Sequence, residues 1–299
     1  MSTARILIIA GSDSGGGAGI QADIKAVTML GGHAMTAITA ITAQNTLGVQ
    51  AVHAVPPDMV LAQIDSVVGD IGVDAVKIGM IGSAVTATEV AERLARLDGV
   101  PIVFDPVMVA TSGSVLADEG TIAAFRALMG LATLVTPNLP ELAALGGVAV
   151  ASAEDMEVAA RHLMKEHGSA ILAKGGHLPS AGDEGVIRDL LVTPQAVITF
   201  TNPRIETRHS HGTGCTLASA IATGLGQGAT LDAAVGRAEA FVAAALAAAP
   251  GLGGGHGPMG HALGTVPFYH LLAARDGDGF DAAAHAARYA GDAGFHGGR

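Results

Sequence analysis

The sequence has one cysteine, no long hydrophobic run and no excess of positive charge, and each shortage closes off a class of protein. A lone thiol, Cys215, forms no internal disulfide, so the chain needs no oxidising compartment and a cytoplasmic home is expected. The longest apolar run, Phe241 to Pro250, is mostly alanine and too short to span a bilayer, so no membrane partner is expected. At the start, the apolar stretch of MSTARILIIAGSD stops at Gly11, short of an export signal. Lys and Arg total 16 against 27 Asp and Glu, a formal net charge of -11, and no basic stripe is interleaved with aromatics. Nucleic acid is therefore a poor partner. A small anion stays open, because backbone donors, one lysine and a metal gathered locally outweigh the global field.

What the chain does have is apolar content and glycine. Hydrophobic residues make up 49% and charged residues 14%, with 42 glycines, which excludes a highly charged disordered chain. A length of 299 residues suits one large domain. Short apolar strands alternate with amphipathic or Ala-rich helices. Strands are predicted near 5–10, 34–42, 49–55, 74–78, 101–106, 133–136, 169–173, 186–192 and 196–200. Helices are predicted near 18–30, 57–70, 84–97, 118–129, 139–145, 152–167, 214–226 and 230–248. That rhythm indicates an α/β protein with a mainly parallel sheet flanked by helices, whose ligands sit at the carboxyl ends of the strands. One domain is expected over 1–275, followed by a Gly/Ala-rich tail over 276–299 with disorder-prone ends.

The sharpest segment is HSHGTGCTLASAIATG at 209–224, a Gly-rich turn running into a small-residue helix. Unpaired N–H groups and the positive end of the helix dipole make such a turn an anion site, with Gly212 and Gly214 allowing close approach beside Thr213. Cys215, in the first turn, is a candidate base whose thiol pKa the dipole should lower. The alternative is a small buried cysteine after a tight turn. The Gly-rich loop of AGSDSGGGAGIQADIKAV at 10–27 invites a nucleotide reading, yet Ile20 stands where G-x-G-x-x-G needs its third glycine, and no G-K-[ST] occurs. Gln44 ends a strand, and its amide both donates and accepts, matching the edge of a heteroaromatic ring; it equally satisfies a loop. Asp105 closes PIVFDP at a sheet edge, and TPNLPEL offers Asn138 and Glu141 three residues apart. Such oxygens suit Mg²⁺, although Asn138 also reads as a helix cap and Glu141 as its first-turn partner. Lys174, ending ILAK, is a candidate phosphate contact or a solvent-facing strand end. The 12 histidines form no H-E-x-x-H pattern.

Taken together and in order, the strings AGSDSGGGAGIQADIKA, TAITAQNTLGVQ, VKIGMIGS, DPVMVATSG, TPNLPEL, AKGGH and HGTGCTLASAIA resemble the hydroxymethylpyrimidine/phosphomethylpyrimidine kinases of thiamin biosynthesis, in the ribokinase-like superfamily. The resemblance spans about residues 6 to 261. It implies a three-layer α/β/α fold and a cytoplasmic, homodimeric kinase using ATP and Mg²⁺. Such a kinase phosphorylates the hydroxymethyl group of the pyrimidine and then the monophosphate. By position, Gln44 would bond the pyrimidine with Gly11, Met80 and Val107 around it. Gly212, Thr213 and Gly214 would form the anion hole, and Cys215 the base. Asp105, Asn138 and Glu141 would surround Mg²⁺ and phosphate, with Asp105 and Glu141 holding the metal partly through water, and Lys174 would contact phosphate. Two positions depart from the family pattern: the first loop lacks a proline that relatives often carry, and Glu239 stands where they commonly place a lysine near the nucleotide. Three rivals remain at this point: a pyridoxine/pyridoxal kinase of the same superfamily, a Rossmann-type oxidoreductase and a non-catalytic pyrimidine-binding protein.

Overall fold

The computed structural model describes residues 3–110, 113–176 and 185–263. Residues Met1–His261 form one compact unit; of the remaining Ala262–Arg299 only Ala262 and Leu263 are described, so the tail expected over 276–299 lies outside the described residues. In chain order the elements are β1 (Arg5–Asp13), α1 (Gly19–Met29), β2 (His33–Asn45), β3 (Gly48–Ala54), α2 (Pro57–Asp70), β4 (Ala75–Ile78) and α3 (Ala84–Leu94). There follow β5 (Ile102–Phe104), α4 (Glu119–Leu131), β6 (Leu134–Val135), α5 (Leu139–Gly146), α6 (Ala153–His167) and β7 (Ala170–Ala173). The last are β8 (Val186–Val192), β9 (Val197–Pro203), α7 (Thr213–Gly226) and α8 (Leu231–Ala247).

The sheet runs β3-β2-β1-β4-β5-β6-β7-β8-β9, parallel from β2 through β7, with β3 antiparallel to β2 at one edge and, at the other, β8 antiparallel to β7 and β9 antiparallel to β8. Strand pleating explains why β1 reads as an unbroken apolar run: its two faces meet different helix layers. Leu7 and Ile9 join the core with Val60 and Ile64 of α2, Val90 and Leu94 of α3, and Phe125 and Leu128 of α4. Ile6 and Ile8 are equally buried, and a methyl at Gly226 of α7 would come within 2.7 Å of Ile6. Each such fully buried side chain contributes roughly 1.5–3 kcal/mol. The helices sort accordingly: α1, α7 and α8 pack together, while α2, α3, α4, α5 and α6 form a second contiguous set. These are the three layers expected.

The sheet also decides where a site can form. β1 is followed by β2 on one side, and the chain then crosses to β4 on the other, so the strand order reverses at β1 and opens a crevice at its carboxyl end. Here the structure departs from the sequence reading. β1 continues past residue 10 to Asp13, its polar end pairing as Ser12 with Ile41 and Asp13 with Thr42 after a register shift.

Candidate active site

At that crevice lies a cavity of about 970 Å³, large enough for a nucleotide and a small second substrate. All twelve candidate residues line it: Gly11, Gln44, Met80, Asp105, Val107, Asn138, Glu141, Lys174, Gly212, Thr213, Gly214 and Cys215. They come from the ends of β1, β2, β4, β5, β6 and β7 and from the start of α7, separate in sequence but convergent because a parallel sheet aligns its carboxyl ends.

The turn before α7 is built around glycine. Gly212 caps the helix at φ +87°, and a Cβ there would sit 2.0 Å from the carbonyl oxygen of Gly17. Only glycine meets both conditions. The first rung of the helix is Thr216 N–H to Gly212 O at 2.9 Å, so the amides of Gly214 and Cys215 precede the ladder and point out of the helix end. A Cβ on Gly214 would lie 3.1 Å from Asp105 Oδ2 and 3.4 Å from Lys174 Nζ, which places the turn against those charges.

Asp105 is held on two sides, accepting from Lys174 Nζ at 2.8 Å and Thr136 Oγ1 at 3.0 Å. Burial works against the Lys174 ammonium, but Asp105 and Glu141 outweigh it and raise its pKa. Asn138 and Glu141 form a reciprocal capping box on α5, with Glu141 N–H to Asn138 Oδ1 at 2.9 Å and Asn138 N–H to Glu141 Oε2 at 2.8 Å. The cap reading of this pair therefore holds, with both residues still facing the cavity. Burial pushes the Glu141 carboxyl up to about 7, Lys174 opposing and Asp105 adding to the rise. Two neighbouring buried carboxyls fit a divalent cation held through their remaining lone pairs and water. Among the described residues no three His, Cys, Asp or Glu side chains make a complete metal cage.

Gln44 sits just after a register shift in the β2–β3 pairing, opposite Val49. Its side chain meets His211 and, through it, Asp13, two residues that the sequence reading passed over as site residues. His211 Nε2 lies 3.0 Å from both Asp13 Oδ2 and Gln44 Nε2. Burial disfavours the Asp13 carboxylate, but His211 and the amides of Ala18 and Gly15 outweigh it and hold its pKa below the ordinary value. An ionised Asp13 accepts a hydrogen bond from the His211 Nε2–H, and that nitrogen then has no lone pair for an amide N–H. With the Gln44 oxygen turned to His211, the single Nε2–H is shared between that oxygen and Asp13 Oδ2, and the Gln44 NH₂ faces Thr42 Oγ1, whose own proton goes to Ser12 O at 2.9 Å. Met80 covers the same end, its Cε only 3.1 Å from where a Cβ on Gly11 would be.

Two further residues lie beneath the site. Lys77 of β4 and Asp23 of α1 pair at 2.8 Å with both side chains wholly buried, and Asp23 also accepts from Ser219 of α7 at 2.7 Å. A lysine inside the otherwise apolar VKIG strand was the available signal, since a charge in a doubly covered strand needs a partner. This pair bears on Cys215. The expected lowering of its thiol pKa is not found: burial pushes it up to about 11, with Lys77 pulling it down and Asp23 and Asp105 pushing it up. The desolvated floor of the cavity outweighs the helix end.

Residues 13–260 match the family described as phosphomethylpyrimidine kinase, most of the chain. The chain belongs to that family. The chain is 48% identical to a "Hydroxymethylpyrimidine/phosphomethylpyrimidine kinase" of Rhizobium meliloti over 87% of its own length and 97% of that protein's. It is also 48% identical to the "Thiamine biosynthesis bifunctional protein ThiED" of Geobacter sulfurreducens over 86% of its length, and there spans about half of the relative, 52%. Among solved structures, an ADP complex of Bacillus subtilis pyridoxal kinase superposes with a TM-score of 0.79 at 32% identity, covering 87% of this chain and 98% of that one. The ribokinase-like architecture expected from the sequence is thus the observed one, and this member of the phosphomethylpyrimidine kinase family is a phosphotransferase.

Proposed function

We propose that the chain uses ATP to phosphorylate the hydroxymethyl group of 4-amino-5-hydroxymethyl-2-methylpyrimidine and then phosphorylates the monophosphate to the pyrophosphate, serving thiamin biosynthesis. The observation that carries this reading is that one cavity holds a heterocycle-matching amide, Gln44, and a phosphoryl-stabilising turn, Gly212 to Cys215. The names of relatives at 48% identity support it. Gln44, locked by His211 and Asp13, reads the ring, with Gly11, Met80 and Val107 around it. In the Gly212–Thr213–Gly214–Cys215 turn the Thr213 amide is paired with Ser210 O, so the amides of Gly214 and Cys215 stabilise charge on the phosphoryl group in transit, and Lys174 offsets charge on the phosphates. Asp105 and Glu141 would hold Mg²⁺ partly through water, with Asn138 nearby. When bound, that ion neutralises charge on the phosphates.

In the first step the substrate hydroxyl attacks the γ-phosphorus, ADP leaves, and the thiolate form of Cys215 accepts the hydroxyl proton on Sγ late in a loose transition state. In the second step the nucleophile is a phosphate monoester with a pKa of about 6, already largely deprotonated at pH 7, so no base is needed. We place the enzyme in the cytoplasm as a homodimer. Incubation with hydroxymethylpyrimidine, ATP and Mg²⁺, with the mono- and diphosphorylated products resolved over time, tests the reading. Both products are expected in succession. Efficient turnover of pyridoxal with no pyrophosphate formed would favour the second reading, for which the similarity to pyridoxal kinase speaks.

A further inference from the structure

One buried acid in the cavity takes no part in the chemistry above. Glu239, Val242, Ala243 and Leu246 fall at i, i+3, i+4 and i+7 on α8 and line the cavity as one face of the helix. Glu239 is only 6% exposed. Its Oε2 accepts from Asn202 Nδ2 of β9, while its Oε1 is buried with no hydrogen-bond partner. A polar atom left unpaired in a cavity wall costs stability unless a ligand satisfies it. A phosphate is the wrong ligand here, since Asp189 of β8 also lines the cavity and adds its own negative field at Glu239. The uncharged parts of a nucleotide are its base and its ribose, and the apolar remainder of this α8 face suits the flat surface of a purine rather than the hydroxyls of a sugar.

We propose that the Glu239 carboxyl reads the base of the nucleotide donor and selects an aminopurine, with its exocyclic N–H beside a ring nitrogen, over an oxopurine. This rests on the kinase reading. Burial first, and Asp189 second, push the Glu239 carboxyl up to about 8, so at pH 7 it is mainly neutral. A neutral carboxyl alone would accommodate either base by exchanging its oxygens. The Asn202 donation removes that freedom: it makes Oε2 the acceptor and leaves the proton on Oε1. The exocyclic N–H then meets Oε2 and the ring nitrogen meets Oε1–H. An oxopurine in the same pose sets acceptor against acceptor and donor against donor.

The test compares ATP with inosine triphosphate, which exchanges the amino group for an oxo group, as phosphoryl donors to hydroxymethylpyrimidine. The expected wild-type preference is at least about tenfold in kcat/KM for ATP, carried in the nucleotide KM. Glu239→Gln should retain most of it. Glu239→Leu and Asn202→Leu should bring the two donors within about threefold, the second variant leaving the acid in place and removing only its lock. Equal use of both donors by the wild type, or a preference unchanged in Glu239→Leu, overturns the assignment. If no nucleotide supports turnover, the kinase reading fails, and calorimetric affinities for ADP and inosine diphosphate decide the Glu239 assignment by themselves: a ratio near one refutes it.

Discussion

Replacing Cys215 should affect the two phosphorylations unequally, and the structure supplies the scale. With the thiol pKa at about 11, the thiolate at pH 7 is roughly 10⁻⁴ of the population, a cost on the order of 5 kcal/mol at 1.36 kcal/mol per pKa unit. Because the group is an acid whose pKa is raised, raising the pH recovers the base. The kcat/KM of the first step should therefore climb about tenfold per pH unit between pH 7 and 9. The second step, whose nucleophile titrates near pH 6, should be nearly flat over the same range. Cys215→Ala should lower the first rate by about 10²–10⁴ and abolish its slope, while lowering the second by less than about tenfold. The assay is a chromatographic time course started separately from the alcohol and from the monophosphate, at several pH values. Equal losses in both steps with a flat first-step profile would refute the base assignment and leave Cys215 a structural member of the α7 turn.

Lys77→Met strands Asp23 in the dry core and should cost about 3–5 kcal/mol, a fall in Tm on the order of 10 °C by calorimetry; Lys77→Met with Asp23→Leu should recover most of it, and a single variant melting like the wild type would contradict the pairing argument. Gly212→Ala combines a left-handed φ with a Cβ 2.0 Å from Gly17 O, so both phosphorylations should drop by at least about 100-fold; near-normal turnover would show that the turn relaxes freely. Gln44→Leu should raise the KM for the pyrimidine about tenfold or more and leave the KM for ATP unchanged; an equal rise for ATP would remove Gln44 from the ring-binding end. Glu239→Gln should raise Tm more at pH 8 than at pH 4, because folding holds this carboxyl protonated at pH values where the unfolded chain ionises it.

Much of this was readable along the chain. The alternation of short apolar runs with helical periods located the elements of the described region, because each strand of a doubly covered sheet buries both faces and each helix buries one. Gln44, Asp105, Asn138, Glu141, Lys174 and the Gly212–Cys215 turn were found as ends of strands or starts of helices, the local context that a parallel sheet turns into a site, while Gly11, Met80 and Val107 came only with the family resemblance. The Asn138–Glu141 cap was also legible, since a capping box is a contact between residues three apart. What sequence reasoning missed were partners distant in the chain. Asp13 meets His211 across 198 positions and Asp23 meets Ser219 across 196. The β1 end that carries Asp13 looks like a loop until its pairing with β2 is known.

Local order along the chain determined the alternating α/β architecture, the glycines of the α7 turn and the residue types able to bind a phosphoryl group and a heterocycle, because propensity, periodicity and turn geometry act over a few residues. The folded protein alone decided the charge states. Cys215 was expected to be acidic at a helix end, and instead desolvation in the cavity wall, with Asp23 and Asp105 nearby, pushes its thiol up, while Glu239 became a mainly neutral acid through burial and Asp189. Desolvation and Coulomb fields depend on what the fold brings within a few ångströms, and that distance is written in no single stretch of sequence.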